Sequence, residues 1–264
     1  MVSTGPLLEL DRVTKRFGQV TVADELSLTV RPGDAVGVVG PNGAGKTSLF
    51  GIVSGDLRPD SGQVRLGGRN VTSFDAAVRC RLGVGRTHQV PRPFEDMTVF
   101  ENVLVAAQQG GGARGREGFR TTARVLAGTG LSDLADRPAG RLGLPHRKRL
   151  ELARALATRP RLLLLDEVAG GLTDPEVAEL VGMIQAARAD GLAVVWIEHV
   201  VRALTSTVDR LICLAGGRVV ADGLPADVLA SPEVKEVFLG TGSVGGVGGV
   251  GGVPEGGGGD GARA

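Results

Sequence analysis

The spacing of a phosphate-binding loop, G-x-x-x-x-G-K-T, occurs in Gly40-Pro41-Asn42-Gly43-Ala44-Gly45-Lys46-Thr47-Ser48. An apolar, strand-like stretch (35–39) leads into it, and a stretch compatible with a helix (47–54) follows, with Gly55 as its expected end. Glycines allow consecutive backbone N–H groups to turn toward phosphate oxygens, and a helix that opens at Lys46 adds its positive N-terminal dipole. We therefore predict a P-loop that binds a nucleotide through residues 40 to 48.

Two side chains of this loop carry more specific predictions. Lys46, one of only four lysines in the chain, is expected to reach the β and γ phosphates of the nucleotide. Thr47 is expected to offer its hydroxyl to Mg²⁺, which keeps several waters and takes its other ligands from phosphates and one or two side chains. The loop thus predicts a nucleotide–Mg²⁺ site.

Composition limits the other functions that the chain can have. Its 264 residues are enough to bury a sizeable core in one or two packed lobes, and 30 basic against 29 acidic residues give no overall field for nucleic acid or an anionic membrane. Cys80 and Cys213 stand far apart, which fits neither a disulfide framework nor a metal cluster and indicates a reducing compartment. Since no run of about 18 apolar residues and no signal-like N-terminus occurs, we expect a chain that neither spans a membrane nor is exported.

Periodicity divides the chain into successive segments. Alternating apolar and polar positions predict strands in residues 7–39 and again at 63–66. From Pro91 to about Leu156 the pattern is helical, interrupted by a glycine-rich patch at 110–115, which indicates an inserted helical lobe. The rest of the domain, up to Gly240, alternates buried strands (162–165 and 193–197) with helices such as 175–189. Residues 241–264 place valines between glycine pairs, so we expect a disordered tail.

An acidic pair completes the predicted catalytic apparatus. Four leucines, Leu162 to Leu165, deliver Asp166 and Glu167 to the C-terminal end of a buried parallel strand, where ligands gather in open α/β sheets. Asp166 is expected to hold Mg²⁺, directly or through water, and Glu167 to act as general base on the attacking water. P-loop kinases and GTPases compete with this interpretation, but neither explains the adjacent glutamate so well, and the guanine-reading Asn-Lys-x-Asp motif is missing.

With five motifs in order, the chain resembles the ATP-binding subunits of ABC transporters over nearly all of residues 7–240. The matching motifs are Phe17 as the aromatic that stacks on adenine, Gly40–Ser48 as Walker A, Gln89 as the Q-loop glutamine, Leu162–Glu167 as Walker B and His199 as the switch histidine. The resemblance implies an α/β P-loop core of ABC ATPase type, with an antiparallel β subdomain and an α-helical subdomain inserted at about 91–156. It also implies ATP and Mg²⁺ as cofactors.

The resemblance assigns a role to three further side chains. The ring of Phe17 offers a π face to the adenine. The amide of Gln89 meets Mg²⁺ or the attacking water and leads into the helical lobe, where it can report nucleotide state to a partner. The imidazole of His199 hydrogen-bonds the γ phosphate and helps to fix the water.

One motif departs from the family. Where ABC ATPases carry Leu-Ser-Gly-Gly-Gln, this chain has Leu142-Gly143-Leu144-Pro145-His146. The serine hydroxyl that meets the partner subunit's ATP is missing at Gly143, and Pro145 has no N–H to donate. Val168 and Thr173 depart from the residues usual after Walker B and in the D-loop, although Asp174 lies beside Thr173. We therefore expect a weakened signature half-site and a heterodimer with a second ABC ATPase subunit.

Two segments indicate a subfamily. Gly85-Arg86-Thr87-His88-Gln89 followed by Met97-Thr98-Val99-Phe100-Glu101-Asn102-Val103, and the ending Ser231-Pro232-Glu233-Val234 with Phe238-Leu239-Gly240, resemble branched-chain amino acid importers. That resemblance implies polytopic permease subunits docked near Gln89 and residues 91–94, an extracellular binding protein as an indirect partner, no nucleic acid, and a peripheral location on the cytoplasmic face of the membrane. Urea, amide or other small-solute transporters remain alternatives. A soluble ABC ATPase acting on DNA or ribosomes is a third, disfavoured by the single cassette and the lack of a coiled-coil insertion.

Overall fold

The chain forms two β-sheets and a group of helices in a computed structural model, which describes residues 5–199 and 204–240. The strands are β1 (Leu8–Phe17), β2 (Val20–Val30), β3 (Ala35–Val39), β4 (Ser61–Leu66), β5 (Arg69–Asn70), β6 (Val84–Arg86), β7 (Leu162–Asp166), β8 (Ala193–Ile197), β9 (Arg210–Ala215) and β10 (Arg218–Gly223). The helices are α1 (Lys46–Ser54), α2 (Ala76–Arg81), α3 (Val99–Gln109), α4 (Arg116–Gly128), α5 (Leu144–Ala157), α6 (Asp174–Ala189), α7 (Pro225–Ala230) and α8 (Pro232–Gly240).

The larger sheet has the strand order β10-β9-β3-β8-β7-β6. All neighbours from β9 to β6 run parallel, and β10 closes one edge antiparallel to β9. Strands β3, β7 and β8 are buried along their whole length, which explains their uninterrupted apolar sequences. Because these strands are parallel, the segments that follow them emerge at the same edge of the sheet.

The smaller sheet is antiparallel, with the order β2-β1-β4-β5. Register shifts occur in β1 on both sides, for example between Leu10 and Val13 against β2 and between Asp11 and Thr14 against β4. Its inner face shares a hydrophobic cluster with α1 and one face of the larger sheet, whose members include Leu10, Phe50 and Val195. The other face of the larger sheet packs on α6 through a second cluster that contains the single tryptophan, Trp196.

Helices α3, α4 and α5 surround a third hydrophobic cluster, formed by residues such as Val103, Leu126 and Leu150. Helix α3 begins in a capping box, in which Thr98 and Glu101 satisfy each other's backbone N–H groups. The segment between α4 and α5 contains only two short 3₁₀ turns, Ser132–Leu134 and Ala139–Arg141. Helix α5 then returns the chain to β7 in the larger sheet.

The predicted fold class is confirmed: an α/β P-loop core carries an antiparallel sheet and a helical insertion. The helix after the phosphate loop ends at Gly55, which adopts a left-handed φ of 91°, and the strands expected at 162–165 and 193–197 are β7 and β8. Both cysteines are free. Within residues 5–199 and 204–240, no helix combines the length and apolar character needed to cross a bilayer. The tail expected at 241–264 lies outside the described residues.

Candidate nucleotide site

The phosphate loop connects the central strand β3 to helix α1. Its glycines are required by close approaches: a Cβ on Gly40 would overlap the carbonyl oxygen of Leu214, and one on Gly45 would overlap that of Val22. Gly45 caps α1 with a φ of 100° and has no side chain to satisfy the free N–H groups of the first helical turn. Those donors border a cavity of about 510 Å³. The loop therefore presents unsatisfied backbone donors and a helix N-terminus to that cavity.

This cavity gathers side chains from distant parts of the sequence. It is lined by Val22, Asn42, Gly43, Ala44, Gly45, Lys46, Thr47, Ser48, Gln89, Glu167 and His199. Its volume lies in the range of small-molecule sites, which suits a nucleoside triphosphate. The parallel sheet explains the convergence, since β3, β6, β7 and β8 all end at this edge.

Lys46 lies buried at the base of the loop. Its Nζ donates to the carbonyl oxygens of Gly40 (2.7 Å) and Pro41 (3.0 Å). Burial lowers the pKa of Lys46, and the carboxylates of Glu167 and Asp166 act in the opposite direction. The ammonium group therefore lies inside the phosphate loop, where the phosphate oxygens of a nucleotide are expected to bind.

Asp166 ends β7 and is only 4% exposed. Its Oδ2 accepts a hydrogen bond from Nη2 of Arg86 at 3.3 Å, and its backbone N–H donates to Oγ1 of Thr87 at 3.1 Å. Burial raises the pKa of Asp166, and the Arg86 guanidinium partly offsets that rise. Asp166 is not among the residues that line the cavity.

Glu167 is held between the two other predicted polar residues. Its Oε2 accepts from Nε2 of Gln89 at 2.5 Å, and its Oε1 lies 2.8 Å from Nε2 of His199. The backbone of Glu167 adopts a left-handed φ of 47°, which is unusual for a residue with a Cβ, and its N–H donates to the carbonyl of Ile197. Backbone outliers of this kind cluster at functional sites.

Phe17 occupies the end of β1 and is 53% exposed. The ammonium of Lys15 lies 5.5 Å from the centre of its ring. Phe17 is not among the residues that line the cavity, whereas Val22 of the neighbouring strand is. An exposed ring in this position remains free to stack on a ligand.

Comparison with protein families matches residues 23–170 to the ABC transporter family. The chain belongs to this family. ABC transporter ATP-binding proteins that are similar over most of the chain include BraF of Pseudomonas aeruginosa, described as a high-affinity branched-chain amino acid transport protein, which is 34% identical (89% of this chain, 98% of that protein). LivG of Escherichia coli K12, with the same description, is 33% identical with the same coverage. The lipopolysaccharide export protein LptB of Acidithiobacillus ferridurans is also 34% identical (89% and 97%).

Solved ABC cassettes have the same fold. A nucleotide-free ATP-binding cassette from an ABC transporter superposes with a TM-score of 0.81 at 27% identity, covering 89% of this chain and 99% of that one. The ADP conformation of the cassette MJ1267 superposes with a TM-score of 0.80 at 28% identity, covering 90% and 100%. The expected family and its ATP-hydrolysing activity are therefore confirmed.

The signature segment of this ABC subunit begins helix α5. Gly143 is the N-cap residue and makes no side-chain cap, and Pro145 lies in the first turn. Arg147 N–H makes the first bond of the helix, to the Gly143 carbonyl. Because Pro145 has no N–H, Leu144 and His146 are the first-turn residues that keep a free donor. Helix α5 therefore offers a partner's phosphate fewer hydrogen bonds than a Ser-Gly-Gly-Gln turn would.

Two buried charged residues around this ABC site, Lys148 and Glu198, and the partly buried Arg86 were not predicted from the sequence. Arg86 pairs with Asp166, Lys148 donates to main-chain carbonyls of the site, and Glu198 accepts hydrogen bonds from the Trp196 indole and the Ala169 backbone. Burial raises the pKa of Glu198. The rarity of lysine was the only sequence signal, since Lys148 is one of four.

Proposed function

We propose that this chain is the ATP-hydrolysing subunit of an importer for branched-chain or other hydrophobic amino acids. The observation that supports hydrolysis most strongly is the position of Glu167, whose carboxylate is hydrogen-bonded by Gln89 and close to His199 beside the phosphate loop. The cargo is supported by the names of similar proteins such as BraF and LivG, and by the importer-like segments 85–89 and 97–103. LptB has the same overall identity to this chain as BraF, so overall identity does not separate amino acid import from lipopolysaccharide export, and the two segments do.

The phosphate loop, the polar side chains of the cavity and the nearby Phe17 each have a role in this proposal. Backbone N–H groups of residues 40–48 bind the phosphates, and Lys46 exchanges its carbonyl partners for β and γ phosphate oxygens. Phe17 stacks on adenine. Glu167 accepts a proton from the attacking water, for which its oxygen atoms are already placed by hydrogen bonds. His199 and Gln89 orient that water and the γ phosphate.

The residues proposed to hold Mg²⁺ fit that ion. Thr47 and Gln89 line the cavity and supply hydroxyl and amide oxygens, and Asp166, which does not line it, supplies a carboxylate that would hold the ion directly or through water. Such oxygens are the hard ligands that Mg²⁺ prefers. Within the part of the chain that the structure describes, no cluster of three or more His, Cys, Asp or Glu residues favours a different metal site. When bound, Mg²⁺ would neutralise negative charge that develops on the phosphates during hydrolysis.

Exposed apolar side chains beside the site support docking of a permease on the cytoplasmic face of the membrane. Val90 is 68% exposed and Phe94 is 48% exposed, with the Arg154 guanidinium 5.2 Å from the Phe94 ring centre. A neighbouring cavity of about 240 Å³ is lined by residues that include His88 and Glu151. Apolar side chains exposed next to Gln89 suit the cytoplasmic helices of a polytopic partner. The extracellular binding protein acts on this subunit only through that permease.

We further propose that the subunit works in a heterodimer with a second ABC ATPase. Each ATP would be held by the phosphate loop of one chain and the signature helix of the other. This chain's loop side is intact, whereas its α5 N-terminus lacks a hydroxyl and an N–H. The site that uses this chain's phosphate loop should hydrolyse ATP efficiently, and the site that uses this chain's signature helix should hydrolyse it poorly.

Purification from detergent-solubilised membranes tests the transport function. We expect polytopic permease subunits and a second ATPase to co-purify with the chain. ATPase activity of the reconstituted complex should rise with binding protein loaded with leucine or isoleucine and not with urea or amides. Stimulation by urea alone would reassign the cargo, and recovery with nucleic acid or ribosomes in place of a permease would refute the proposal.

A further inference from the structure

Lys148 connects helix α5 to both catalytic segments. Its Nζ donates to the main-chain carbonyl oxygen of Gln89 at 2.8 Å and to that of Glu167 at 3.1 Å. The two carbonyls belong to residues 78 positions apart whose side chains are hydrogen-bonded to each other. One ammonium group therefore fixes the spacing between the backbones of the two residues that are proposed to orient and activate water.

The backbone of Glu167 needs such a restraint. Its left-handed φ of 47° is unfavourable for a residue with a Cβ and persists only where the surroundings enforce it. The N–H of Glu167 donates to Ile197, and its carbonyl accepts from Lys148 at 3.1 Å and from the Gly170 N–H at 3.4 Å. Gln89 is exposed and follows the last residues of β6, so the Lys148 contact is a tertiary restraint on its main chain.

Lys148 is also an unusual residue in this position. It is 4% exposed, and burial lowers its pKa despite the nearby carboxylates of Glu198, Glu167, Asp166 and Glu151. A buried ammonium without partners is costly, and this one is stabilised by two carbonyls and surrounding negative charge. An apolar residue could fill the same volume, so packing alone does not account for a charged side chain here.

We propose that Lys148 is a positioning residue for ATP hydrolysis, which holds the main chains of Gln89 and Glu167 at the separation that lets their side chains act together on water. The inference rests on the proposed roles of those two residues. Helix α5 would then contact both ATP sites of the proposed dimer. Its N-terminus faces the ATP of the partner subunit, and Lys148 contacts the catalytic segments of this chain's own site.

The test compares variants in the reconstituted complex. Lys148→Met removes the charge and all three donors at similar length, whereas Lys148→Arg keeps both. We expect Lys148→Met to lower kcat about tenfold or more, because two charge-assisted hydrogen bonds are lost, while KM and the Kd for ATP stay within about twofold. Lys148→Arg should recover most of kcat. Lys235→Met, at an exposed lysine of α8, is the matched control and should leave kcat unchanged.

Several outcomes would overturn the inference. These are a Lys148→Met enzyme within twofold of wild-type kcat, a parallel loss of ATP affinity and kcat, or a Lys148→Arg enzyme as slow as Lys148→Met. If Lys148→Met does not fold, Lys148→Gln, which keeps a neutral donor, takes its place, and failure of both to fold would show a purely structural role. Glu167→Gln separates this inference from the proposed function: full activity of Glu167→Gln refutes the function, whereas an inactive Glu167→Gln with an active Lys148→Met refutes only the role of Lys148.

Discussion

At the scale of single residues, the site depends on main-chain geometry that no sequence motif encodes. Glu167 was predictable as a general base because it follows Asp166 at the end of an apolar strand. Its left-handed backbone and its contacts with Gln89 and His199 were not predictable, because they depend on residues 78 and 32 positions away. The partly buried Arg86 and the buried Lys148 were missed for the same reason.

Glu198 provides a pH prediction at this scale. Burial raises its pKa in the folded state above the unfolded value of about 4.3. Below the unfolded pKa, Glu198 is protonated in both the folded and the unfolded protein, so its burial carries no cost of ionisation. As pH rises through the folded pKa, the folded protein loses stability relative to the unfolded one. Glu198→Gln removes that penalty. Its free energy of unfolding relative to wild type should therefore be more favourable at pH 8 than at pH 4.

Urea titrations across this pH range measure the difference, with Glu233→Gln at an exposed position of α8 as control. A Glu198→Gln difference that stays constant with pH, or that grows as pH falls, would contradict the assignment of the raised pKa to burial.

At the scale of elements, the sequence predicted those whose signal is local. Strands β3, β7 and β8 carry uninterrupted apolar runs, and α1 has a glycine at each end, so their positions followed from the chain itself. The position of α2 could not be predicted in this way. This six-residue helix is too short to be stable alone, and its buried Arg79 ties it to the end of α1.

Arg79 gives a stability prediction. Its guanidinium donates to the carbonyls of Ile52 (2.5 Å), Val53 (3.1 Å), Thr72 (3.2 Å) and Phe74 (3.0 Å), and burial lowers its pKa to about 10. Arg79→Met leaves these acceptors without their charged donor, so we expect a loss of about 2–4 kcal/mol in the free energy of unfolding. Fluorescence of the single, buried Trp196 follows the transition.

Arg81→Met, at an exposed position of the same helix, should change the free energy of unfolding by less than about 0.5 kcal/mol. Equal effects of the two substitutions would mean that general loss of charge, and not the network around Arg79, is responsible.

The N-terminus of α5 gives a prediction about asymmetry. Preorganised donors at a reacting phosphate are worth about 2–4 kcal/mol each, and this helix lacks a hydroxyl and an N–H. In the reconstituted heterodimer, Glu167→Gln should therefore abolish most turnover, and the equivalent change in the partner should have a much smaller effect. The asymmetric dimer is refuted if both changes abolish turnover equally and this chain alone hydrolyses ATP as fast as the pair.

At the scale of the whole molecule, the fold brings the predicted motifs together at one edge of the parallel sheet. The order β3-β8-β7-β6 sets the phosphate loop, His199, Glu167 and Gln89 side by side, although they are distant in sequence. Strands before the loop, a helical stretch and then alternating elements followed from the sequence pattern, and the resemblance to ABC ATPases implied the antiparallel subdomain and the ABC-type core. The strand order and the pairing of the antiparallel sheet did not, because they are set by long-range contacts.

Hydrolysis at Glu167 is tested most directly by Glu167→Gln in the complete complex reconstituted in vesicles. We predict that this variant binds ATP with wild-type affinity, loses nearly all ATPase activity and no longer supports leucine uptake, whereas Lys46→Ala loses ATP affinity itself. General-base assistance contributes about a hundred- to ten-thousandfold in rate, so the effect should be large. A Glu167→Gln complex that hydrolyses ATP at close to the wild-type rate would contradict the account.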